Sequence, residues 1–302
     1  MKINLRYSII IYRKITDIYS TSLKFKIGFL ILLALIVVST TFCLLAPMLA
    51  PPNYRSWYSL KKDLPPNLSS LNLILGTTTN GRSVFWALMH AIINSLIMAS
   101  ITALVASHIG LFLGMISGIK GGTVDRLLIF LIDVFIIIPG LPLLVVLTMS
   151  LKNVLTIPLL GLIISVIAWT WPARQVRAMV LSLREREHIY IARLSGMNSM
   201  NIILSEIFPH IVAWHLINFT NTVLFSISTE AGLAILGLSI LSEDTLGTMI
   251  YWAQNYSALL RGKTWWIGSP IATLIILFVS LYLISTGLSE YVNPRLRYGV
   301  TR

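Results

Sequence analysis

The chain has 302 residues, of which 56% are hydrophobic and only 11% are charged, and its mean hydropathy is +0.82. A soluble globular protein carries roughly 25% charged residues, so this composition excludes a soluble enzyme, a disordered chain and a secreted disulfide scaffold. The formal net charge of +12 fits either nucleic-acid binding or a membrane topology signal, and the positions of the charges must decide between the two.

Six apolar stretches are long enough to cross a bilayer, which takes roughly 17–25 residues of helix. The first follows a basic leader, residues 1–26, and is longer than the apolar region of a signal peptide, so we expect an uncleaved span. The sequence predicts an all-α integral membrane protein with six transmembrane helices. The six stretches are residues 27–46, 84–117, 127–151, 154–171, 211–238 and 267–288.

The segments outside the first span differ in character. Residues 47–83 contain five prolines with several Asn and Ser, which is typical of an irregular external connection rather than a domain. Residues 84–290 are expected to form a five-helix core, in which the polar stretch 172–210 has few turn residues and is predicted to be helical. Within the third span, Pro139 and Pro142 predict a kink or break because each removes an amide donor.

The basic residues divide unevenly among these segments. With the N-terminus inside, sixteen of the 23 Lys and Arg fall on the cytoplasmic side and seven fall on the outer side. This asymmetry predicts that both termini are cytoplasmic, including a short C-terminal tail at residues 291–302. It also accounts for the net charge without a nucleic-acid partner, because no single basic face remains.

The sequence offers no catalytic, cofactor or metal site. Gly262-Lys263-Thr264 resembles the end of a phosphate-binding loop, but the glycine that this motif requires five positions earlier is Ser257. The five histidines show no zinc-binding spacing, and the single cysteine, Cys43, excludes disulfide frameworks. We therefore expect the energy source to be a gradient or another subunit.

Two acidic residues and a glycine strip stand out within the predicted spans. An ionised group there costs about 2.5–3.5 kcal/mol on insertion scales, so Asp133 and Glu230 are expected to face protein or water, either along a translocation path or as helix-packing partners. Gly110, Gly114 and Gly118 recur every four residues on the second span. Such a strip is typical of close helix packing, with a ligand site as the alternative.

The polar stretch before the fifth span carries clear local signals. Ser182 begins a capping-box pattern, and Gly196 is placed to end the resulting helix after about thirteen residues. Asn198 is placed to cap a second helix, and Pro209 to break the path into the fifth span. The two helices would form a rigid cytoplasmic knob, residues 184–209, whose exposed apolar face contacts either a protein partner or the lipid headgroups.

The knob resembles the signature of one transporter family, the permease subunits of binding-protein-dependent ATP-binding-cassette (ABC) importers of dipeptide or oligopeptide type. The family signature reads Glu-Ala-Ala, three residues, Gly, then a spaced Ile-x-Pro. Tyr190 and Ile191 stand where that signature has Glu and the first Ala. The corresponding stretch here is Tyr190-Ile191-Ala192-Arg193-Leu194-Ser195-Gly196, closing at Ile207-Phe208-Pro209.

Further fragments resemble the same family in the same order, so the similarity covers nearly the whole chain. Thr78 and Ser83 replace residues that are usually Asp in the family. The resemblance implies family-wide structural roles for Asp133 and Glu230 rather than substrate contacts. The fragments are Leu75-Gly76-Thr77 with Gly81-Arg82, Gly121-Gly122-Thr123-Val124-Asp125, Asp133-Val134-Phe135 with Pro139-Gly140, Glu230-Ala231-Gly232-Leu233 with Leu236-Gly237-Leu238 and Gly247, and Asn293-Pro294-Arg295-Leu296-Arg297.

The resemblance implies the fold of a type I ABC importer permease, with six transmembrane helices and a cytoplasmic coupling-helix loop, in the inner membrane of the cell. Such a subunit pairs with a second, homologous permease and receives substrate from an external binding protein. Two cytoplasmic ATPase subunits would hold ATP and Mg, and this chain would bind no cofactor. The implied ATPase-coupling residues are Arg184, Glu187, Tyr190, Ala192, Arg193, Gly196, Ile207 and Pro209.

The resemblance leaves several cargoes open. Members of this type carry dipeptides, oligopeptides, nickel chelates or oligosaccharides, and we expect a peptide here with the others as alternatives. The alternative from another class is a proton-coupled secondary transporter that uses Asp133 and Glu230 as a relay. An intramembrane enzyme would need a nucleophile and base that the sequence does not supply.

Overall fold

The computed structural model describes residues 22–292, and these residues form helices and connecting turns without a β-strand. Most of the predicted leader and nearly all of the predicted tail lie outside the described residues. The helices are α1 (Leu23–Leu49), α2 (Val84–Lys120), α3 (Gly122–Ile137), α4 (Gly140–Ser150), α5 (Ile157–Ala168), α6 (Thr170–Leu183), α7 (Glu187–Leu194), α8 (Phe208–Ile235), α9 (Leu246–Asn255) and α10 (Thr264–Val292).

Within the described residues, four helices are long and apolar enough to cross a membrane, and the number reaches the predicted six if each of two bent helix pairs is counted as one span. The four are α1, α2, α10 and a continuous helix at Ser199–Ile235 that includes α8. The pair α3 and α4 bends by 85°, and the pair α5 and α6 bends by 44°. Helix α6 carries the fourth span on to Leu183, well beyond its predicted end at residue 171.

The predicted break in the third span is confirmed at Pro139. Helix α3 ends at Ile137, and Pro139 occupies the N-cap position of α4. Pro142 lies in the first turn of α4, where an amide hydrogen has no partner within the helix. The 85° bend therefore coincides with the positions where proline removes backbone donors.

Helix α2 lies at the centre of the bundle, in contact with α1, α5, α6 and α8. The glycine strip of α2 faces α6. A methyl carbon added at any of these three glycines would lie 2.6 Å from an atom of α6. That atom is Pro172 Cγ for Gly110, the carbonyl oxygen of Ala173 for Gly114 and Val180 Cγ1 for Gly118. The strip thus allows the two backbones to approach closely.

Gly114→Leu is expected to destabilise the bundle by about 1–3 kcal/mol or more, because the added side chain meets the backbone of α6 and overpacks the interface. Gly268→Leu is the matched control, since Gly268 lies in the membrane-spanning helix α10 with no atom within 4 Å of an added methyl carbon. We expect the melting temperature in detergent to fall for the first variant only. Equal melting temperatures would contradict close packing of α2 on α6.

The predicted external connection is folded back on itself. Its backbone forms a ribbon in which the amides of Tyr58, Leu60 and Thr77 donate to the carbonyls of Asn80, Gly81 and Leu64 over 2.7–2.9 Å. The indole of Trp265, at the start of α10, donates to the carbonyl of Thr77 over 3.2 Å. The segment is irregular, as expected, but it is anchored on the helix bundle.

Candidate functional site

The knob begins later than the sequence predicts. Ser182 lies inside α6, and the first helix of the knob, α7, starts at Glu187 with Arg186 as an N-cap that makes no side-chain hydrogen bond. The predicted capping box and the helix of about thirteen residues are therefore wrong. The cause is tertiary packing: α6 packs along α2, and this contact continues the membrane-spanning helix past Ser182 to Leu183. As a result, α7 has only 8 residues.

The predicted end of α7 is confirmed. Gly196 adopts the left-handed conformation with φ of +80°. Its amide donates to the carbonyl of Arg193 over 3.0 Å, and the amide of Met197 donates to the carbonyl of Ala192 over 3.2 Å. This pair of bonds is the Schellman motif, in which glycine avoids the cost of the left-handed backbone.

The second half of the knob runs into the fifth span without a break. The side chain of Asn198 accepts from the amide of Asn201 over 2.8 Å, which confirms it as an N-cap. A π turn follows at Ile202–Ile207, and Pro209 lies in the first turn of α8. The prediction that Pro209 breaks the path is wrong, because the wider π turn comes before the proline and the helix continues through it.

The inner face of the knob is packed into the bundle. Ile189 and Ala192 of α7, with Ile202, Ile203 and Ile207 of the π turn, are buried. They belong to one apolar cluster with side chains of α2 and α6. These five buried side chains attach the knob firmly to the ends of the membrane-spanning helices.

The opposite face of the knob presents an apolar patch, defined as Tyr190, Ile191, Leu194, Met200 and Leu204. All five side chains are exposed, although each is large and apolar. An apolar patch on a rigid support is typical of a docking surface.

The predicted coupling residues divide by their surroundings. Arg184 points back onto the bundle, where Nη1 donates to the carbonyl of Gly118 over 3.2 Å and Nε donates to Glu185 over 3.0 Å. Ala192 and Ile207 are buried and support the knob from within. The exposed members of the set are Glu187, Tyr190, Arg193, Gly196 and Pro209.

Two ion pairs join α3 to α6 between the knob and the middle of the bundle. Asp125 accepts from Arg177 through both carboxylate oxygens, at 2.6 and 2.8 Å, and also from the hydroxyl of Ser117. Two turns further along α3, Asp133 pairs with Arg174. With the bond from Arg184 to Gly118, these contacts form a continuous series from the knob towards the two helix bends.

A cavity of about 460 Å³ lies where the two bends meet α8. Ile138 and Gly140, on either side of Pro139, contribute to its wall at the α3 to α4 break, and Thr170 contributes at the α5 to α6 bend. Its remaining lining is mostly apolar, with polar side chains from α8 at Asn218, Asn221 and Thr222. Of the predicted path residues, Pro139 therefore lies at the edge of this cavity.

Glu230 lies apart from the cavity. Its fully buried carboxylate accepts from the hydroxyls of Ser239 and Thr245 over 2.8 and 2.6 Å. These bonds stabilise the connection between α8 and α9. The ion pair between Arg82 and Asp244, at 2.6 Å, stabilises the same connection. Among the described residues, the polar contacts of Glu230 and those of Asp133 belong to separate networks.

Sequence reasoning missed the polar side of the cavity. Asn218, Asn221 and Thr222 are spaced by three and four residues, so they share one face of the fifth span. That stripe of polar side chains in an apolar helix was a visible signal. The structure also brings together no group of three His, Cys, Asp or Glu side chains suited to a metal ion within residues 22–292.

A cavity that has a few polar side chains and lies between broken membrane-spanning helices is typical of transport proteins. The chain matches the family described as "Binding-protein-dependent transport system inner membrane component" over residues 110–298, and it belongs to that family. It is a multi-pass membrane protein and a transport subunit. In fold it is similar to the MetNI methionine ABC transporter in inward-facing conformations, with a TM-score of 0.56, 20% identity, and coverage of 70% of this chain and 97% of that chain.

Several curated relatives have similar length and sequence. The oligopeptide transport system permease protein OppC of Mycobacterium tuberculosis is 29% identical over 83% of this chain and 79% of the relative. The dipeptide transport system permease protein DppC of Bacillus subtilis is 29% identical over 89% of this chain and 81% of the relative. The nickel transport system permease protein NikC of Escherichia coli is 29% identical over 78% of this chain and 84% of the relative.

Proposed function

We propose that this chain is one of two permease subunits of an ATP-driven importer that carries oligopeptides or dipeptides across the cell inner membrane. The observation that supports this most directly is the apolar patch on a rigidly supported knob. A transport subunit without an ATPase site needs such a surface to receive force from a partner. Two ATPase subunits bound beneath the permease pair, one of them at this patch, would supply that force, with ATP and Mg held on those partners.

The other partners are inferred from the surfaces that this chain leaves uncovered. The cavity is open to the surface of this chain, and the bent helices expose large apolar side chains such as Phe130 and Trp171. A second, homologous permease facing this side would enclose the path, with membrane lipid around both. An external binding protein would deliver substrate to the anchored segment 47–83 if both termini are cytoplasmic, as the basic residues predict.

The contacts between α3 and α6 provide a route for coupling. When ATP closes the ATPases, movement of the knob would be transmitted towards the helix bends through the bond of Arg184 to Gly118 and the ion pair between Arg177 and Asp125. The ATPases can shift the permease only by binding its two states with different affinity. The knob must therefore make different contacts with the ATPases in the inward-open and outward-open states.

The peptide cargo is supported by the names of the OppC and DppC relatives. A nickel chelate is the second candidate, supported by the equally similar NikC relative. The decisive experiment reconstitutes the chain with the permease, ATPase and binding protein encoded beside it, and measures ATP-dependent uptake of labelled peptides and of chelated ⁶³Ni. Uptake by this chain alone, lost when the proton gradient collapses, would instead support a secondary transporter.

Tyr190→Ala is expected to weaken binding of the ATPase subunits about tenfold, because truncating an aromatic anchor at an interface typically costs more than 1 kcal/mol. Tyr282→Ala in α10 is the matched control, since both tyrosine side chains are 63% exposed and only Tyr190 lies on the knob. Co-purification of the ATPases with each tagged variant measures the effect. Equal recovery with both variants would remove Tyr190 from the docking surface.

A further inference from the structure

The ion pair between Asp133 and Arg174 is unusual in its surroundings. Both residues lie on helices of the bent membrane-spanning pairs, yet their side chains are 43% and 49% exposed. Each charge would cost about 2.5–3.5 kcal/mol on insertion scales if it faced lipid. The face that carries this pair is therefore directed towards water or another subunit.

Helix geometry places the pair next to the cavity. Asp133 lies three residues before Ile136 on α3, and Arg174 lies three residues after Trp171 on α6. Ile136 and Trp171 both line the 460 Å³ cavity, and residues three apart share a helix face. The ion pair thus continues the cavity wall by one helical turn on the side of the knob.

Arg174 and Arg177 differ in how many of their N–H groups are hydrogen-bonded. Arg177 binds both carboxylate oxygens of Asp125, so its guanidinium is matched by a fixed partner. Arg174 donates to Asp133 through Nη2 alone, which leaves most of its five N–H groups unused among the described residues. A smaller cavity of about 140 Å³ is lined by both arginines together with Asp133, Ile129 and Ile132.

We propose that Arg174 is a subsite for the terminal carboxylate of a transported peptide, which competes with Asp133 for the guanidinium. The inference rests on the proposed function and adds a residue contact to it. A guanidinium binds a carboxylate through two parallel hydrogen bonds, which a lysine cannot match. Competition from Asp133 keeps this binding weak, as a transport path requires, since cargo must leave as readily as it enters.

The first experiment compares two forms of one labelled peptide, with a free C-terminal carboxylate and with a C-terminal amide, in the reconstituted importer. The double variant Asp133→Asn with Arg174→Gln removes both charges together and so leaves neither unpaired. We expect uptake of the free peptide to fall about tenfold, the value of one lost charge-assisted bond, and uptake of the amide to change less than twofold. Uptake of each peptide by the variant is divided by its uptake by the wild-type importer. Any preference of the binding protein for one peptide then cancels, because it affects both importers equally.

The outcomes separate the two proposals. If the wild-type importer carries neither peptide, the proposed function itself fails. If it carries them and the double variant loses both equally, the subsite is wrong while the importer remains. Asp133→Asn alone frees Arg174 from its internal partner, so the subsite predicts tighter retention and slower release of the free peptide but not of the amide.

A second experiment measures peptide binding at the proposed subsite directly, without relying on transport. Cys43 is the single cysteine, so Cys43→Ser gives a background into which Ile136→Cys is placed on the cavity wall. We expect a charged, membrane-impermeant thiol reagent to label this cysteine in the assembled importer, and the free peptide to slow labelling more than the amide does. Val37→Cys, half-exposed on α1, is the control. Labelling of both cysteines without peptide protection would overturn the subsite.

Discussion

Replacing Gly196 with valine is expected to abolish coupled uptake while leaving the chain inserted in the membrane. The left-handed backbone at this position costs an L-residue roughly 1–2 kcal/mol, and a β-branched side chain more. Relief of that strain breaks the two Schellman bonds at the end of α7 and reorients the apolar patch. Space is not the cause, since no atom lies within 4 Å of an added methyl carbon.

The structure supplies a close control for this prediction. Gly262 has φ of +70° and equally open surroundings, but it lies in the turn before α10, far along the chain from the knob. Gly262→Val should carry the same strain without loss of uptake. Gly196→Asn should retain much of the activity, because asparagine tolerates the left-handed region. ATP-dependent uptake and ATPase co-purification are the measurements, and normal uptake in an inserted Gly196→Val variant would remove the knob from the coupling mechanism.

Several features that depend on one helix at a time were predictable from the sequence, although the start signal at Ser182 and the break expected at Pro209 were not borne out. Apolar length located the spans, and missing amide donors located the break at Pro139. The αL requirement at Gly196 and the cap at Asn198 were also readable, because each involves only a few adjacent residues. The glycine strip of α2 signalled close contact, although the sequence does not identify α6 as the contacting helix.

Features that depend on pairing between distant helices were not predictable. Arg174 and Arg177 made residues 172–183 too polar to be predicted as part of a membrane span, so the predicted fourth span ended too early, at residue 171. In the fold their charges are matched by Asp133 and Asp125 of α3, which lie 41 and 52 residues away. A hydropathy window averages neighbours along the chain and cannot include such partners.

The cavity illustrates the same limit. Its polar wall is a simple pattern on α8, but its existence depends on the meeting of two bends, one between α3 and α4 and the other between α5 and α6. Each bend has a proline beside it, Pro139 at the first and Pro172 just after Trp169 at the second, where the missing amide donor would have bonded to Ala168 at the end of α5. Only the packed bundle brings the two bends together on one face of α8.

Glu230→Ala is expected to cause a large loss of folded protein. The carboxylate is fully buried, and its removal leaves the hydroxyl of Ser239 without an acceptor at a cost of roughly 1–3 kcal/mol, while that of Thr245 keeps only the longer contact with Thr248 Oγ1 at 3.2 Å. The backbone at Gly247 packs against the carboxylate, where an added methyl carbon would lie 2.7 Å from Oε2, so the vacated space also weakens the contact of α8 with α9. Yield of monodisperse protein and melting temperature in detergent measure the effect.

Two further variants test whether the Glu230 carboxylate has a structural role or relays protons. Glu243→Ala removes an acid from the same turn, but its pair with Arg55 at 3.2 Å is exposed, so we expect a change of about 0–1 kcal/mol. Glu230→Gln keeps an oxygen that accepts from Ser239 and Thr245, and it should restore both folding and uptake. A proton relay would fail in this variant despite normal folding, because glutamine cannot exchange a proton. Restored uptake in Glu230→Gln would therefore assign the buried acid to the architecture of the turn and exclude it from energy coupling.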